Sequence, residues 1–381
     1  MRGVGPVTTG GKASAMNKGL SLYFDLLRAG AAFEVFLFHM NRFKQIGMKP
    51  AWWNYGGFDA VTLFFVLSGF VIAFAARERD RTLERYVVSR LTRILSVAVP
   101  AVFLTYLADR IGHPLDPLLY APFTLDYPIV RLIAAMTLLN ESWVPIQIFS
   151  NTPMWSVGYE FWYYFVFAAI IFLRGPLRIA AVVVVALISG PRALLLFPIW
   201  LMGSWAYRER WSATLPRAAH VLLALVPLVG MWMYYHYNWR QHGVNVLLSI
   251  MTQQQWRQDL TWSRYVLSDT AFGALIACHF VGMRNLGPEL ERVLGSVARP
   301  VRFAAAYSFT LYALHHPMLL LSTAVIGAAG LPVSPWSVGG LTLAVVLVVG
   351  TITERRRYRL KPIFAGLLAR IAPPRILKAT A

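Results

Sequence analysis

The sequence predicts an all-α integral membrane protein of about ten transmembrane helices, with both termini in the cytoplasm. Three observations carry this prediction. The chain of 381 residues is 57% hydrophobic with a mean hydropathy of +0.53, well above the composition of soluble domains. Its apolar residues fall in runs long enough, at about 1.5 Å per helical residue, to cross roughly 30 Å of hydrocarbon. Its arginines gather between alternate runs, as the positive-inside rule requires.

Residues 1–18 mix Gly, Ser, Thr, Lys and Arg without periodicity and read as a flexible cytoplasmic tail. The small residues Ala13 and Ala15 precede the apolar stretch, so a cleaved signal peptide fits poorly. Candidate spans lie at 20–42, 57–77, 86–110, 154–174, 177–190, 193–208, 217–237, 264–283, 303–328 and 334–354. Those at 177–190 and 193–208 are short and hinge on Gly190 and Pro191, which suits tilted, broken or re-entrant segments. The stretch 129–140 is a candidate for one more short helix. The transmembrane unit is therefore 19–361, followed by a basic cytoplasmic tail over 362–381.

With the N-terminus inside, the cytoplasmic connections carry Arg77, Arg79, Arg81, Arg85 and Arg90, then Arg174 and Arg178, then Arg208, Arg210 and Arg217. Arg284, Arg292, Arg299 and Arg302 follow, and Arg355, Arg356, Arg357, Arg359 and Lys361 close the series. The outer connections are poorer in cations, except the first, with Arg42, Lys44 and Lys49. The formal net charge of +19 is thus explained by topology, and nucleic acid is not expected as a partner. The single cysteine, Cys278, excludes an intrachain disulfide and a cysteine-based metal site. No Walker loop, dinucleotide fingerprint, HExxH motif or internal repeat is present, and no metal is expected.

The first span, Ser21 to His39, carries Asp25, Arg28, Glu34 and His39. Ionisable groups inside a span cost several kcal/mol unless partnered, which makes them functional candidates. Arg28 and His39 stand nearly three helical turns apart, on one face and separated by roughly 16 Å along the axis. Asp25 shares that face, while Glu34 points to the other side and needs a partner there. The second span starts near Asp59 and the fourth brings Glu160 one to two turns below the outer surface. His39, Asp59 and Glu160 therefore come to similar depth, and a carboxylate beside an imidazole fixes its tautomer for general-base work. Arg28 lies toward the cytoplasmic arginines, where cations could receive a phosphorylated ligand.

Structural roles compete for each residue. Arg28 could snorkel to the headgroups, and Asp59 and Glu160 could cap helices. An interface belt accounts for most of the aromatic run Trp155, Tyr159, Trp162, Tyr163 and Tyr164. Pro317, after Tyr307, Ser308, Tyr312, His315 and His316, predicts a kink whose freed carbonyl a histidine satisfies; lining the same cavity is the functional alternative.

These residues resemble the acyltransferase family 3, integral membrane O-acyltransferases of polysaccharides and related glycans. Asp25-Leu-Leu-Arg28 with His39 is similar to its DGLRxxA…H opening, and Gly57-Phe-Asp59 through Leu67-Ser68-Gly69-Phe70 to its GVDLFFVLSGF block. Arg90-Leu-Thr-Arg93-Ile-Leu resembles RRxxRIxP with Ser96 at the proline. Trp155-Ser156-Val-Gly-Tyr-Glu160-Phe161 resembles WSLSVEEQFY with Phe161 at the second glutamate. Tyr307-Ser308-Phe-Thr-Leu-Tyr312-Ala-Leu-His315-His-Pro317 resembles SYSLYLLHxP, and Glu354 the final ExP, with Arg356 at its proline. The blocks run in family order from residue 25 to 354.

The resemblance implies a multi-pass protein of the inner (plasma) membrane, with cytoplasmic acyl-CoA, above all acetyl-CoA, as donor and a cell-surface or lipid-linked glycan hydroxyl as acceptor. Arg28, Arg90 and Arg93 would hold the charged part of the donor. His39 would serve as base or acyl carrier, oriented by Glu160 or Asp59. Ser68 and Tyr163 are candidates for the oxyanion donor, and Asp25, Glu34, Tyr307 and His315 for lining the cavity. The rival class is a transporter of a lipid-linked glycan or acyl group, with the buried charges along its pathway. Oligomeric state, acyl length and acceptor sugar are open.

Overall fold

Inside hydrocarbon every backbone polar group must be satisfied within the chain, which leaves the helix as the economical solution for these apolar runs. The computed structural model describes residues 16–43, 46–47 and 57–371, and among them the regular elements are all helical. In chain order they are α1 (Lys18–Arg42), α2 (Gly57–Glu78), α3 (Leu83–Leu115), α4 (Pro117–Tyr120), α5 (Pro128–Met136), α6 (Met154–Phe172), α7 (Gly175–Arg208) and α8 (Arg217–His236). They continue as α9 (Trp239–Leu248), α10 (Gln253–Gln258), α11 (Val266–Arg284), α12 (Gly287–Leu294), α13 (Ala298–Ala305), α14 (Ser308–Ala328), α15 (Pro335–Ile352) and α16 (Lys361–Ile371). Lys44 and Lys49 of the first outer loop and residues 1–15 of the predicted 1–18 tail lie outside the described residues, while Asn17 and Lys18 of that tail cap and open α1. The predicted C-terminal tail is helical as far as Ile371, with α16 packed on α3.

The residues 79–82 between α2 and α3 bring those two helix ends together. Tyr86 at the start of α3 meets Phe172 at the end of α6 (5.4 Å between ring centres), and Phe74 near the end of α2 meets Tyr207 near the end of α7 (6.0 Å). These ends form one side of the bundle, here the arginine face. The opposite side, the loop face, carries α4, α5, α9 and α10. Helix α7 begins just after α6, so both of its ends lie at the arginine face and it must cross twice. Gly190, at φ +81°, makes the reversal, and a Cβ there would stand 2.3 Å from the Ser142 carbonyl. The break frees carbonyls that loop side chains satisfy: Trp143 Nε1 donates to Leu187 O at 2.7 Å and Ser142 Oγ to Ile188 O. The two short spans expected around Gly190 and Pro191 are therefore a broken pair. Among the described residues, eight helices are long and apolar enough to cross a membrane; one of them crossing twice, plus the charged α1, makes ten passes there.

Three expectations need correction. The ninth span does not begin at 303, because the chain turns at Ala306 and Tyr307 and separates α13 from α14. The aromatic run in α6 is no interface belt: Trp155, Tyr159, Tyr163 and Tyr164 are all buried in the bundle. Pro317 sits inside an uninterrupted α14, and its freed carbonyl, Ala313 O, accepts from Asn151 Nδ2 at 2.9 Å rather than from a histidine.

Helices α2 and α7 cross at backbone contact. A Cβ on Gly69 would fall 1.9 Å from Trp200 O, and one on Gly203 would fall 1.8 Å from Val66 O. Small residues allow such close approach in membranes, where dispersion and shape hold helices together. Gly203→Leu is accordingly expected to leave little monodisperse protein after detergent extraction, measured by size-exclusion chromatography against wild type. The apolar side chains left exposed on the first half of α7, on α8 and on α15, such as Val183, Leu222 and Val348, face outward, as lipid contact requires.

Candidate active site

Helix α1 runs unbroken through Arg28 and His39, so the expected register holds and one flank of it serves two different places. Near its arginine-face end is a vestibule lined by Asp25, Arg28, Arg79, Arg93, Arg302, Glu354 and Arg357. Five arginines against two carboxylates leave it cationic. It shares Arg28, Leu67, Val71 and Arg93 as walls with a deeper space, which also meets Ser68, Glu160 and Tyr312. That space shares Val61 and Tyr312 with a small cavity lined by His39, Val35, Thr152 and Trp155. The His39 cavity in turn shares Thr152 and Trp262 with an opening at the loop face. Four spaces that share wall residues thus lie in a row between the two faces, with Arg28 early in the row and His39 late.

The hydrogen bonds around His39 fix its tautomer. His315 Nδ1 lies 2.8 Å from Tyr312 O and 3.0 Å from Leu311 O, and carbonyls only accept, so that nitrogen carries hydrogen and His315 Nε2 has a lone pair. His39 Nδ1 lies 2.9 Å from Val35 O and 3.1 Å from His315 Nε2. It is therefore a shared N–H donor to both, and His39 Nε2 is left unprotonated. His316 packs edge-on against His39 at 5.1 Å between ring centres and meets Thr152 Oγ1 at 3.3 Å. The partner that orients His39 is a second imidazole, contributed by α14.

The expected carboxylate partners are elsewhere. Glu160 accepts from Ser68 Oγ at 2.6 Å and from Tyr164 OH, in the middle space. Asp59 accepts from Tyr235 OH at 2.9 Å and pairs with Arg240, in a separate groove on the other flank of α1 that Glu34 also lines. The physical reason is rotation: similar depth does not bring side chains together when their helices present different faces. Neither oxyanion candidate is free for that role, since Ser68 is held between Glu160 and Trp200 Nε1 (3.1 Å) and Tyr163 OH donates to Ala193 O at 2.6 Å. Arg90 does not line the vestibule: it is buried in a pair with Asp80 at 2.7 Å, whereas Arg93 lines both arginine-side spaces. Asp25 pairs with Arg28 at the vestibule wall. Tyr307 OH meets Thr351 Oγ1 at 3.1 Å and packs against α15, leaving Ser308 and Tyr312 to line the middle space.

The sequence pattern that defines the acyltransferase-3 family, an acyltransferase domain, matches residues 21–355. The chain belongs to that family. No curated protein and no solved structure matches the chain. The protein is thus a multi-pass membrane acyltransferase. The candidate site is also lined by residues that sequence reasoning did not name for it: Arg79, Arg302 and Arg357 of the vestibule, and Thr152 and Trp262 between His39 and the loop face. The arginines were visible only as topology markers, and Trp262 lies in a segment with no motif.

At the loop face Glu141, outside the spans, accepts from Trp262 Nε1 at 3.2 Å, and burial raises its carboxyl from 4.5 to about 7. A raised carboxyl binds a proton in the folded state that the unfolded chain has released, so stability falls as pH rises from about 4.5 through about 7. Glu141→Gln keeps an acceptor for the indole and removes the titration. Thermal melts at about pH 5 and about pH 8 should show the variant gaining on wild type at the higher pH; a pH-independent difference would contradict this.

Proposed function

We propose that the acyltransferase moves an acyl group, acetyl in the first instance, from cytoplasmic acyl-CoA to a glycan hydroxyl on the far side of the membrane. The observation that carries the reading is the row of adjoining spaces from an arginine-lined vestibule to an imidazole with a free Nε2. The arginine face is the cytoplasmic one by the positive-inside rule, which sets both termini inside. Arg93, Arg28, Arg79, Arg302 and Arg357 hold the phosphates of the donor, which would be costly to bring into hydrocarbon. The narrow pantetheine arm then enters the middle space past Ser68 and Glu160 and brings the thioester to His39.

There the acceptor hydroxyl approaches from the loop face. His39 Nε2 takes its proton as the oxygen attacks the thioester carbonyl. The tetrahedral intermediate collapses with cleavage of the carbon–sulfur bond, and the departing thiolate receives the proton back from His39. His315 keeps the ring in the productive tautomer. A carboxylate partner would add an anion to the site, while a second neutral imidazole holds the tautomer without one.

The test is sided. In proteoliposomes of uniform orientation, radiolabelled acetyl-CoA supplied only at the arginine face should label glycan supplied only at the loop face. Label transfer only when donor and acceptor share a compartment would reject the crossing.

A further inference from the structure

The loop-face cavity has unmet hydrogen-bonding groups that nothing above uses. Asn151, 2% exposed, spends both amide hydrogens, on Thr105 Oγ1 at 2.9 Å and on Ala313 O at 2.9 Å. Because a carbonyl only accepts, the amide orientation is fixed, and Oδ1 remains a buried acceptor without a partner. Asn140, also 2% exposed, keeps an unpartnered Oδ1 as well. Arg264 lies over the rings of Trp256 (5.4 Å) and Tyr265 (5.2 Å), yet its buried Nε has no partner. All three residues line one cavity. Each buried polar atom left unmet costs about 1–3 kcal/mol, which a guest bringing donors and an acceptor would recover.

Its wall is aromatic. Trp262 stacks on Trp155 with the planes 5° apart and the centres 5.6 Å apart, and its indole N–H is anchored on Glu141. A flat indole beside amide oxygens suits a sugar ring, whose C–H face is apolar and whose hydroxyls donate. Arg257, which shares the lining with Arg264, adds a second guanidinium, and guanidinium forks match a carboxylate.

We propose that this cavity is the acceptor subsite and that it selects a carboxylate-bearing sugar. The ring lies against Trp262, hydroxyls donate to Asn140 and Asn151, and the carboxylate sits with Arg257 and Arg264. The acyl-accepting hydroxyl then enters past Thr152 and Trp262, the walls shared with the His39 cavity. The assignment rests on the acyl-transfer reading above for the fate of that hydroxyl, and on the cavity alone for its binding.

The experiment uses the full chain in nanodiscs and the glycan fraction of the source cells' membranes, native or with its carboxyl groups chemically reduced to alcohols. Binding is measured by calorimetry, and transfer by label from acetyl-CoA. Wild type should bind the reduced fraction about ten-fold or more weakly than the native one, the loss of a charge-assisted pair. Trp262→Ala and Asn140→Leu should weaken both fractions, with the KM for acetyl-CoA unchanged. Arg264→Gln should weaken only the native fraction, a selectivity that a folding defect would not produce. Equal wild-type binding of the two fractions, no binding of either, or variants that bind like wild type would overturn the subsite. Binding as described but without transfer would instead overturn the acyl-transfer reading and leave the subsite standing.

Discussion

His39→Ala is expected to lower acyl transfer by roughly two to four orders of magnitude, the usual contribution of a positioned general base, with unchanged membrane insertion. The expectation follows from proton bookkeeping around the ring. Val35 O and His315 Nε2 both need a hydrogen from His39 Nδ1, so Nε2 alone can take a proton from the acceptor. His315→Phe tests the same geometry from the other side. It keeps an aromatic ring in α14 and removes the acceptor that helps hold the tautomer, so kcat should fall by about ten-fold or more while the KM for acyl-CoA stays put. Label transfer by purified variants in proteoliposomes reads both effects. Full activity of His39→Ala in correctly inserted protein would end the assignment.

Arg93→Gln is expected to raise the KM for acyl-CoA by roughly ten-fold or more, since a hydrogen bond to a charged group contributes about 1.5–3 kcal/mol. The chemistry at His39 is several turns away, so kcat should change much less. Arg90→Gln provides the contrast. Arg90 and Asp80 form a pair with side chains 9% and 16% exposed, and removing one partner leaves a poorly solvated carboxylate. That variant should lose thermal stability and keep its KM. Initial rates against acyl-CoA concentration, with melting curves of the same preparations, distinguish the two arginines. Equal KM changes from both substitutions would mean that the vestibule is not where the donor's phosphates sit.

Much of this architecture is legible in the sequence because its causes are local. Helical runs follow from apolar length, since the hydrogen bonds of each helix close within four residues. The hairpin at Gly190 follows from a glycine–proline step in a run too long for one pass, and the two faces follow from where the arginines gather. The flank shared by Arg28 and His39 is also local: eleven residues on one helix fix their relative direction whatever surrounds them.

Side-chain partnerships are different. His39 and His315 are far apart in the chain, and Glu160 was expected beside His39 on depth alone. Depth is one coordinate of three. The rotation of α6 about its axis turns Glu160 to Ser68 of α2, and the loop-face helix α9 brings Arg240 to Asp59. The proline of α14 frees a carbonyl that Asn151 fills from a loop, and no periodicity predicts that contact.

The sequence by itself determined the helices, their number of crossings and the common flank of residues 28 and 39. Each of these depends on forces acting within a few turns of one segment. Only the tertiary structure decided which side chain pairs with His39 and which arginine faces the vestibule. Those choices depend on the tilt and rotation of helices packed against one another, set by contacts such as Gly69 on Trp200 and Gly203 on Val66.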